Sequence, residues 1–120
     1  MTFSNHPSRA PVVWLVNGDV TVNGTLNLDG KNGDTLDSLP KEPGPGGFRG
    51  AAYAMAPVGV GAGLGPGGSL GANGVYNYGN SKIIPLIGGS GGAGRTAFGE
   101  GSGSGAGGAI LIAAANTMPV

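Results

Sequence analysis

The sequence predicts an all-β chain in which short, parallel β-helix-like strands carry a long glycine-rich extended insertion. Three observations predict it: a six-residue repeat with turn dipeptides over residues 12–30, glycine dominance over 43–108, and an alternating apolar segment at 109–114. The 120 residues divide into an N-terminal arm (1–11), hexad-repeat strands with a polar connector (12–42), the glycine-rich extended region (43–108) and a closing β-strand (109–120).

The hexads place Asn17-Gly18, Asn23-Gly24 and Asp29-Gly30 six residues apart, with apolar residues four and two places before each glycine: Trp14 and Val16, Val20 and Val22, Leu26 and Leu28. Strict alternation is the signature of a strand with one buried face. A meander of type I′ hairpins fails on register. A two-residue turn at Asn23-Gly24 pairs Val22 with Thr25 and Val20 with Asn27, and cross-strand partners share a face. One strand's apolar residues would then face water. Bending at each Asn/Asp-Gly without reversal keeps even-numbered residues inward through all three hexads, and these residues tolerate the left-handed backbone that such corners need. Three faces turning the same way make about one rung of a parallel β-helix.

After the polar connector Lys31–Glu42 the chain holds 24 Gly in the 66 residues from 43 to 108. Glycine at alternate positions, as in Val58-Gly-Val-Gly-Ala-Gly-Leu-Gly, predicts flat faces on which backbones approach closely, as in stacked silk-like sheets. Glycine at every third position would suit packed polyproline-II helices, and no sustained triplet stands out along the zone. Interleaved Val, Leu, Phe, Tyr and Ile favour order over a flexible linker, which would use Ser and charged spacers. Ile83-Ile-Pro-Leu-Ile87 reads as an apolar strand that Pro85 confines to an edge or an irregular position. Ala109-Ile-Leu-Ile-Ala-Ala114 is expected to return to the sheet begun at residue 12, making the glycine-rich zone an insertion between adjacent strands. The Ala-rich stretch 50–56 is too short for a stable helix before Pro57.

Composition narrows the function. With 28 Gly, 9 Pro and only about 22% Val, Leu, Ile and Phe, the chain has little hydrocarbon for a core. Six basic and six acidic residues cancel without forming runs, which argues against nucleic-acid binding. The absence of Cys removes disulfides and thiolate chemistry, and a single His, His6, removes most acid/base and zinc chemistry. His6 reads as a solvated residue of the arm. No apolar window is long enough to span a bilayer, residues 1–9 are polar, and the stretch 12–16 is too short for a signal-peptide core. The abrupt end at Met118-Pro119-Val120 suggests a fragment or protomer of something larger.

The order of motifs resembles glycine-rich β-helical repeat proteins of bacterial cell surfaces or extracellular fibres. The resemblance rests on Gly-Asp-Val-Thr-Val-Asn-Gly-Thr-Leu (18–26), Pro-Gly-Pro-Gly-Gly-Phe-Arg-Gly (43–50), Pro-Leu-Ile-Gly-Gly-Ser-Gly-Gly (85–92) and Gly-Ala-Gly-Gly-Ala-Ile-Leu-Ile-Ala (105–113). It covers about residues 12–114 and implies a secreted structural or adhesive role with no catalytic residue. The further Val-x-Val-Asn-Gly turn usual in that group does not follow before Val120.

Motifs that mimic enzymes lack their context. Gly88-Gly-Ser90-Gly-Gly92 fits a nucleophile elbow, but the only His lies far upstream and the chain is too short for a hydrolase sheet. Gly103-Ser-Gly-Ala-Gly-Gly108 fits a dinucleotide fingerprint but follows no strand and opens no helix, and the same pattern recurs at 63–68. Asp29, Asn32, Asp34 and Asp37 offer oxygen ligands but no EF-hand spacing, and read as a solvated corner. Asn23-Gly-Thr25 matches a glycosylation sequon inside a hexad. No catalytic residue, metal or cofactor is therefore expected, and no enzyme.

The functional expectation is a structural protein, a protomer or module of an extracellular fibre or surface assembly, forming a homo-oligomer or filament through strand pairing. The arm Thr2–Pro11 is a candidate for reaching into an adjacent subunit. The alternative is a carbohydrate- or host-binding adhesin or tail-tip module that contacts a glycan or neighbouring subunit through Tyr53, Tyr76, Tyr78 and Phe98, with Tyr76 and Tyr78 on one strand face.

Overall fold

The computed structural model describes residues 1–35, 39–52, 61–68, 78–94 and 101–116. Its organising element is the run 101–109. A strand offers its N–H and C=O groups in two opposed directions, whereas an extended helix with three residues per turn offers them in three and bonds none of them internally. In this run the N–H groups of Ser102, Gly105 and Gly108 donate to the carbonyls of Asp34, Lys31 and Leu28 at 2.7–2.9 Å. Those of Gly103, Ala106 and Ala109 donate to Ala51, Phe48 and Pro45, while the carbonyls of Ser104 and Gly107 accept from Gly92 and Gly89. Three neighbours are thus read in rotation, one residue in three for each, and a fourth run meets it where Gly44 N–H donates to the Ala106 carbonyl at 2.9 Å.

The period corrects the alternate-glycine reading of this zone. Triplets do occur, at Gly44, Gly47 and Gly50 and at Gly88, Gly91 and Gly94. A Cβ at any of these six would lie under 3.0 Å from a backbone atom of another segment. At Gly91 it would fall on the Arg49 carbonyl, and at Gly50 on that of Gly103. Glycine is required there for close approach of backbones rather than for a special φ.

Directions follow from the partners. Run 28–34 is antiparallel to 101–109, and 47–52 is parallel to 88–94 through Phe48 to Gly89 and Ala51 to Gly92. Residues 61–64 run antiparallel to 88–94, and residues 41–44 turn back through Gly44–Gly47. Asp34, Ala52, Gly94 and Ser102 therefore meet at one end of the bundle, and Leu28, Pro45, Gly88 and Ala109 at the other. The core between them is mostly backbone. Pro43 to Gly47, Gly50, Ala51, Gly63, Gly88, Gly91, Gly94, Ser102, Gly103 and Ala106 are buried, and no large side chain is fully buried among the described residues.

At its second end the bundle changes to a sheet. Ala109 leads directly into β2 (Ile110–Ala114), which pairs in parallel with β1 (Val12–Val16) in the register Val12↔Ile110, Trp14↔Ile112, Val16↔Ala114. The expected return of the closing strand to the sheet begun at residue 12 is thus observed, with the glycine zone between. Both strands alternate half-buried and exposed, with even-numbered residues inward.

Beyond Val16 the hexads form no further strand among the described residues. Gly18 and Gly24 nevertheless take φ of +141° and +123°, as expected at hexad corners, whereas Gly30 at the third corner lies outside the left-handed region. The third hexad is held by the chain's own start. The N-terminal ammonium donates to the Thr25 carbonyl, Asn27 N–H to Met1, and Phe3 N–H to Asn27, with Thr2 and Asn27 bridged in parallel. The beginning of the arm, Met1–Phe3, is therefore bound within its own chain. Residues 83–87 are likewise not a strand. A turn closed by Ile83 N–H to the Asn80 carbonyl, with Asn80 Nδ2 bonded to the Ile84 carbonyl, leaves Ile83 and Ile84 exposed.

Candidate functional site

The arm and the side of the bundle enclose a cleft of about 650 Å³. The arm is tied down at Met1–Phe3 and again where Val12 enters β1, and between them it turns through an Arg9 N–H to His6 carbonyl bond, with Arg9 at φ +54°. The loop so formed faces residues 29–31 and 42–49 of the bundle. Phe3 forms an apolar part of the wall and meets Trp14 edge-to-face at 5.5 Å, coupling the cleft to the inner face of β1.

Half of the chain's basic residues, Arg9, Lys31 and Arg49, line this cleft, with Asp29 and Glu42 opposing them. Arg49 and Glu42 form a close ion pair through Nη2 and Oε1, and Asn5 Nδ2 donates to Glu42 Oε2 at 3.4 Å. The Arg49 hydrogen bond holds the Glu42 carboxyl below its usual range. Desolvation opposes the shift, while the Asn5 bond and the charges of Arg49 and Arg9 reinforce it. Two polar atoms, Asn5 Oδ1 and Arg49 Nε, are buried with no hydrogen-bond partner. One is an acceptor and the other a donor, and both groups are anchored by the same Glu42 carboxylate.

The second candidate surface is the sheet end. A parallel pair of five-residue strands leaves an outer edge on each, and no third strand covers either among the described residues. Val13, Leu15 and Leu111 point outward, with Leu15 77% exposed.

Of the contact residues expected from sequence, Tyr53, Tyr76 and Phe98 lie outside the described residues. Tyr78 is 38% exposed, and its hydroxyl donates to the Gly88 carbonyl at 3.1 Å, tying it to the bundle. Ser90 Oγ accepts from Gly67 N–H at 2.8 Å, so the residue of the apparent nucleophile elbow is the acceptor of a turn. His6 is exposed and its Nδ1 lies 2.9 Å from Ser8 Oγ. Asp34 sits 3.9 Å from Lys41, Asp37 lies outside the described residues, and no group of three potential metal ligands gathers among those described. No helix of the described residues is long and apolar enough to cross a membrane. The cleft had no local sequence signal: its polar residues are dispersed from position 2 to position 49, with Lys31, Glu42 and Arg49 brought together by the bundle and Thr2, Asn5 and Arg9 added by the arm's return. Comparisons with protein-family models, curated proteins and solved structures gave no match.

Proposed function

We propose that this chain is a structural module of an extracellular fibre or surface assembly, with the glycine bundle as a stiff spacer and the β1–β2 end as its joint to a neighbouring β unit. The observation that carries this reading is the two-stranded parallel sheet, both of whose edges are open among the described residues, at one end of a body 57 Å long and 24–27 Å across. Isolated two-stranded sheets are marginal in water, and open edges are templates for another strand. A neighbour that adds a strand to each edge would extend the pair into the β-helix-like stack expected from the hexads. The outward Val13, Leu15 and Leu111 then gain apolar neighbours on the same face from the added strands.

The test is light scattering and electron microscopy of the purified chain over a concentration series. Concentration-dependent oligomers or filaments, reduced by Leu15→Lys, are expected. A folded species that stays monodisperse at high concentration overturns the proposal.

The adhesin or tail-tip reading draws on a different observation. The runs that end at Asp34, Ala52 and Gly94 finish together at the end away from the sheet. In the sequence, Tyr53 follows Ala52 directly and Phe98 stands four residues after Gly94. A glycan array that binds the parent chain and loses binding in Tyr53→Ala would favour this reading over a purely structural one.

A further inference from the structure

We infer that Asn17 and Asn23, at the first two hexad corners, are sites of spontaneous deamidation, whereas Asn32, in the same Asn-Gly dipeptide, is protected by the bundle. Asparagine closes most readily on a following glycine, because no Cβ on that residue hinders the attack. The deprotonated glycine nitrogen adds to the Asn Cγ, the side-chain nitrogen leaves as ammonia, and a cyclic imide forms. Water then opens the ring at either carbonyl, giving aspartate or isoaspartate and a new negative charge.

At both corners the reacting groups are free. Asn17 and Asn23 are exposed, and among the described residues no hydrogen bond engages their side chains or the N–H groups of Gly18 and Gly24. A Cβ added at either glycine would meet nothing within 4 Å, so no neighbouring segment crowds the peptide as the ring closes. Asn32-Gly33 offers the same chemistry on a held backbone. Just before it, the Lys31 carbonyl accepts from Gly105 N–H at 2.8 Å. Just after it, the Asp34 carbonyl accepts from Ser102 N–H at 2.9 Å and Asp34 N–H donates to Ser102 Oγ at 3.3 Å. A Cβ at Gly33 would lie 2.4 Å from the Ser102 carbonyl oxygen. The main-chain rotation that brings Gly33 nitrogen to Asn32 Cγ therefore requires this run to open locally from the bundle. Each ~1.4 kcal/mol of opening slows the reaction about tenfold. The remaining Asn-Gly pair, Asn73-Gly74, lies outside the described residues.

Conversion at Asn17 has the larger consequence. With Leu15, Val16, Ala113, Ala114 and Ala115 it lines a shallow apolar groove at the end of the sheet. Deamidation places a carboxylate there and, as isoaspartate, lengthens the main chain leaving β1 by a methylene. The resulting loss of strand joining rests on the assembly reading; the conversion itself does not.

The test is peptide mass mapping of the full chain aged in mildly alkaline buffer, with and without denaturant. In denaturant the three asparagines react as the same dipeptide, so the folded-to-unfolded rate ratio at each isolates the effect of structure. Ratios at Asn17 and Asn23 about tenfold or more above that at Asn32 are expected. Equal ratios at the three sites, or a higher ratio at Asn32, would overturn the assignment. Light scattering then compares the fresh chain, the aged chain and aged Asn17→Gln, whose longer side chain closes the imide far more slowly. Oligomers lost on ageing by the parent and kept by the variant are expected, and oligomers kept by the converted parent would overturn the consequence for the joint. A fresh chain that is already monomeric sinks the assembly reading and leaves the two deamidation sites standing.

Discussion

The bundle and the sheet solve the same problem, pairing of backbone hydrogen bonds, with opposite kinds of residue. In β1 and β2 the period is two, side chains separate the layers, and Trp14, Ile110 and Ile112 turn inward. In the bundle the period is three, side chains are mostly absent, and the buried material is peptide. The difference teaches that a shortage of hydrocarbon is not a shortage of order. A threefold run can be satisfied by three neighbours at once, provided that glycine lets them approach.

The largest expected effect breaks the bundle and spares its edge. Gly91→Ala and Gly103→Ala each drive a methyl onto a carbonyl of a neighbouring run, at Arg49 and Gly92. Each should cost about 3 kcal/mol or more, at or beyond the upper range for overpacking, or abolish folding. Gly107→Ala, where an added Cβ meets nothing within 4 Å, should change stability by about 0.5 kcal/mol or less. Thermal melts of the three variants by circular dichroism check the contrast, and equal losses would refute a close-packed backbone core.

Trp14→Ala probes the other regime. The ring is half-buried against Phe3, so a loss of about 2 kcal/mol is expected, below the roughly 3–5 kcal/mol of a fully buried aromatic. Denaturant titration measures it. Ser102→Ala comes next. Ser102 is buried, and its Oγ accepts from Asp34 N–H at 3.3 Å. Its removal should cost about 1 kcal/mol, and the Asp34 amide should exchange faster with solvent.

The smallest effect is electrostatic. The carboxyl of Glu42 is lowered in the folded chain relative to the unfolded one, so the folded state binds fewer protons between the two values. The stabilisation is present above the ordinary glutamate range and is lost as pH falls through the lowered folded value. In Glu42→Gln, melting temperature against pH should lose this acid-side step, and an unchanged profile would show that the Arg49 pair contributes nothing to stability.

The sheet was legible because a short apolar run is a local signal: Val12–Val16 and Ile110–Ala114 are each five consecutive apolar residues, and burial alternates along both once they pair. The bundle was legible as ordered but not in its period. Gly44, Gly47 and Gly50 form a triplet only three members long, and Gly46 beside them serves a different need, a turn at φ +74°. In 101–109 the every-third requirement is hidden because Ser102 stands in the series with Gly105 and Gly108, while Ala106 stands in the series with Gly103. Several neighbours each impose their own triplet on one string, and the overlay looks like irregular glycine enrichment. The cleft was illegible for a different reason. Lys31, Glu42 and Arg49 meet through the pairing of bundle runs, and Arg9 joins them through the return of the arm, a contact between Met1–Phe3 and Thr25–Asn27 that no spacing announces.

A core of peptide rather than hydrocarbon also changes how stability responds to temperature. Unfolding that uncovers apolar surface raises the heat capacity by about 0.45 cal/K/mol/Å², whereas uncovering polar surface lowers it by about 0.26. Unfolding the bundle exposes mainly N–H, C=O and Cα groups of Pro43–Gly47, Gly88–Gly94 and Gly101–Gly108. Its heat-capacity increment should fall well below the usual value of roughly 12–15 cal/mol/K per residue, giving a flatter stability curve. Cold would then weaken this protein less than it weakens one with an aliphatic interior.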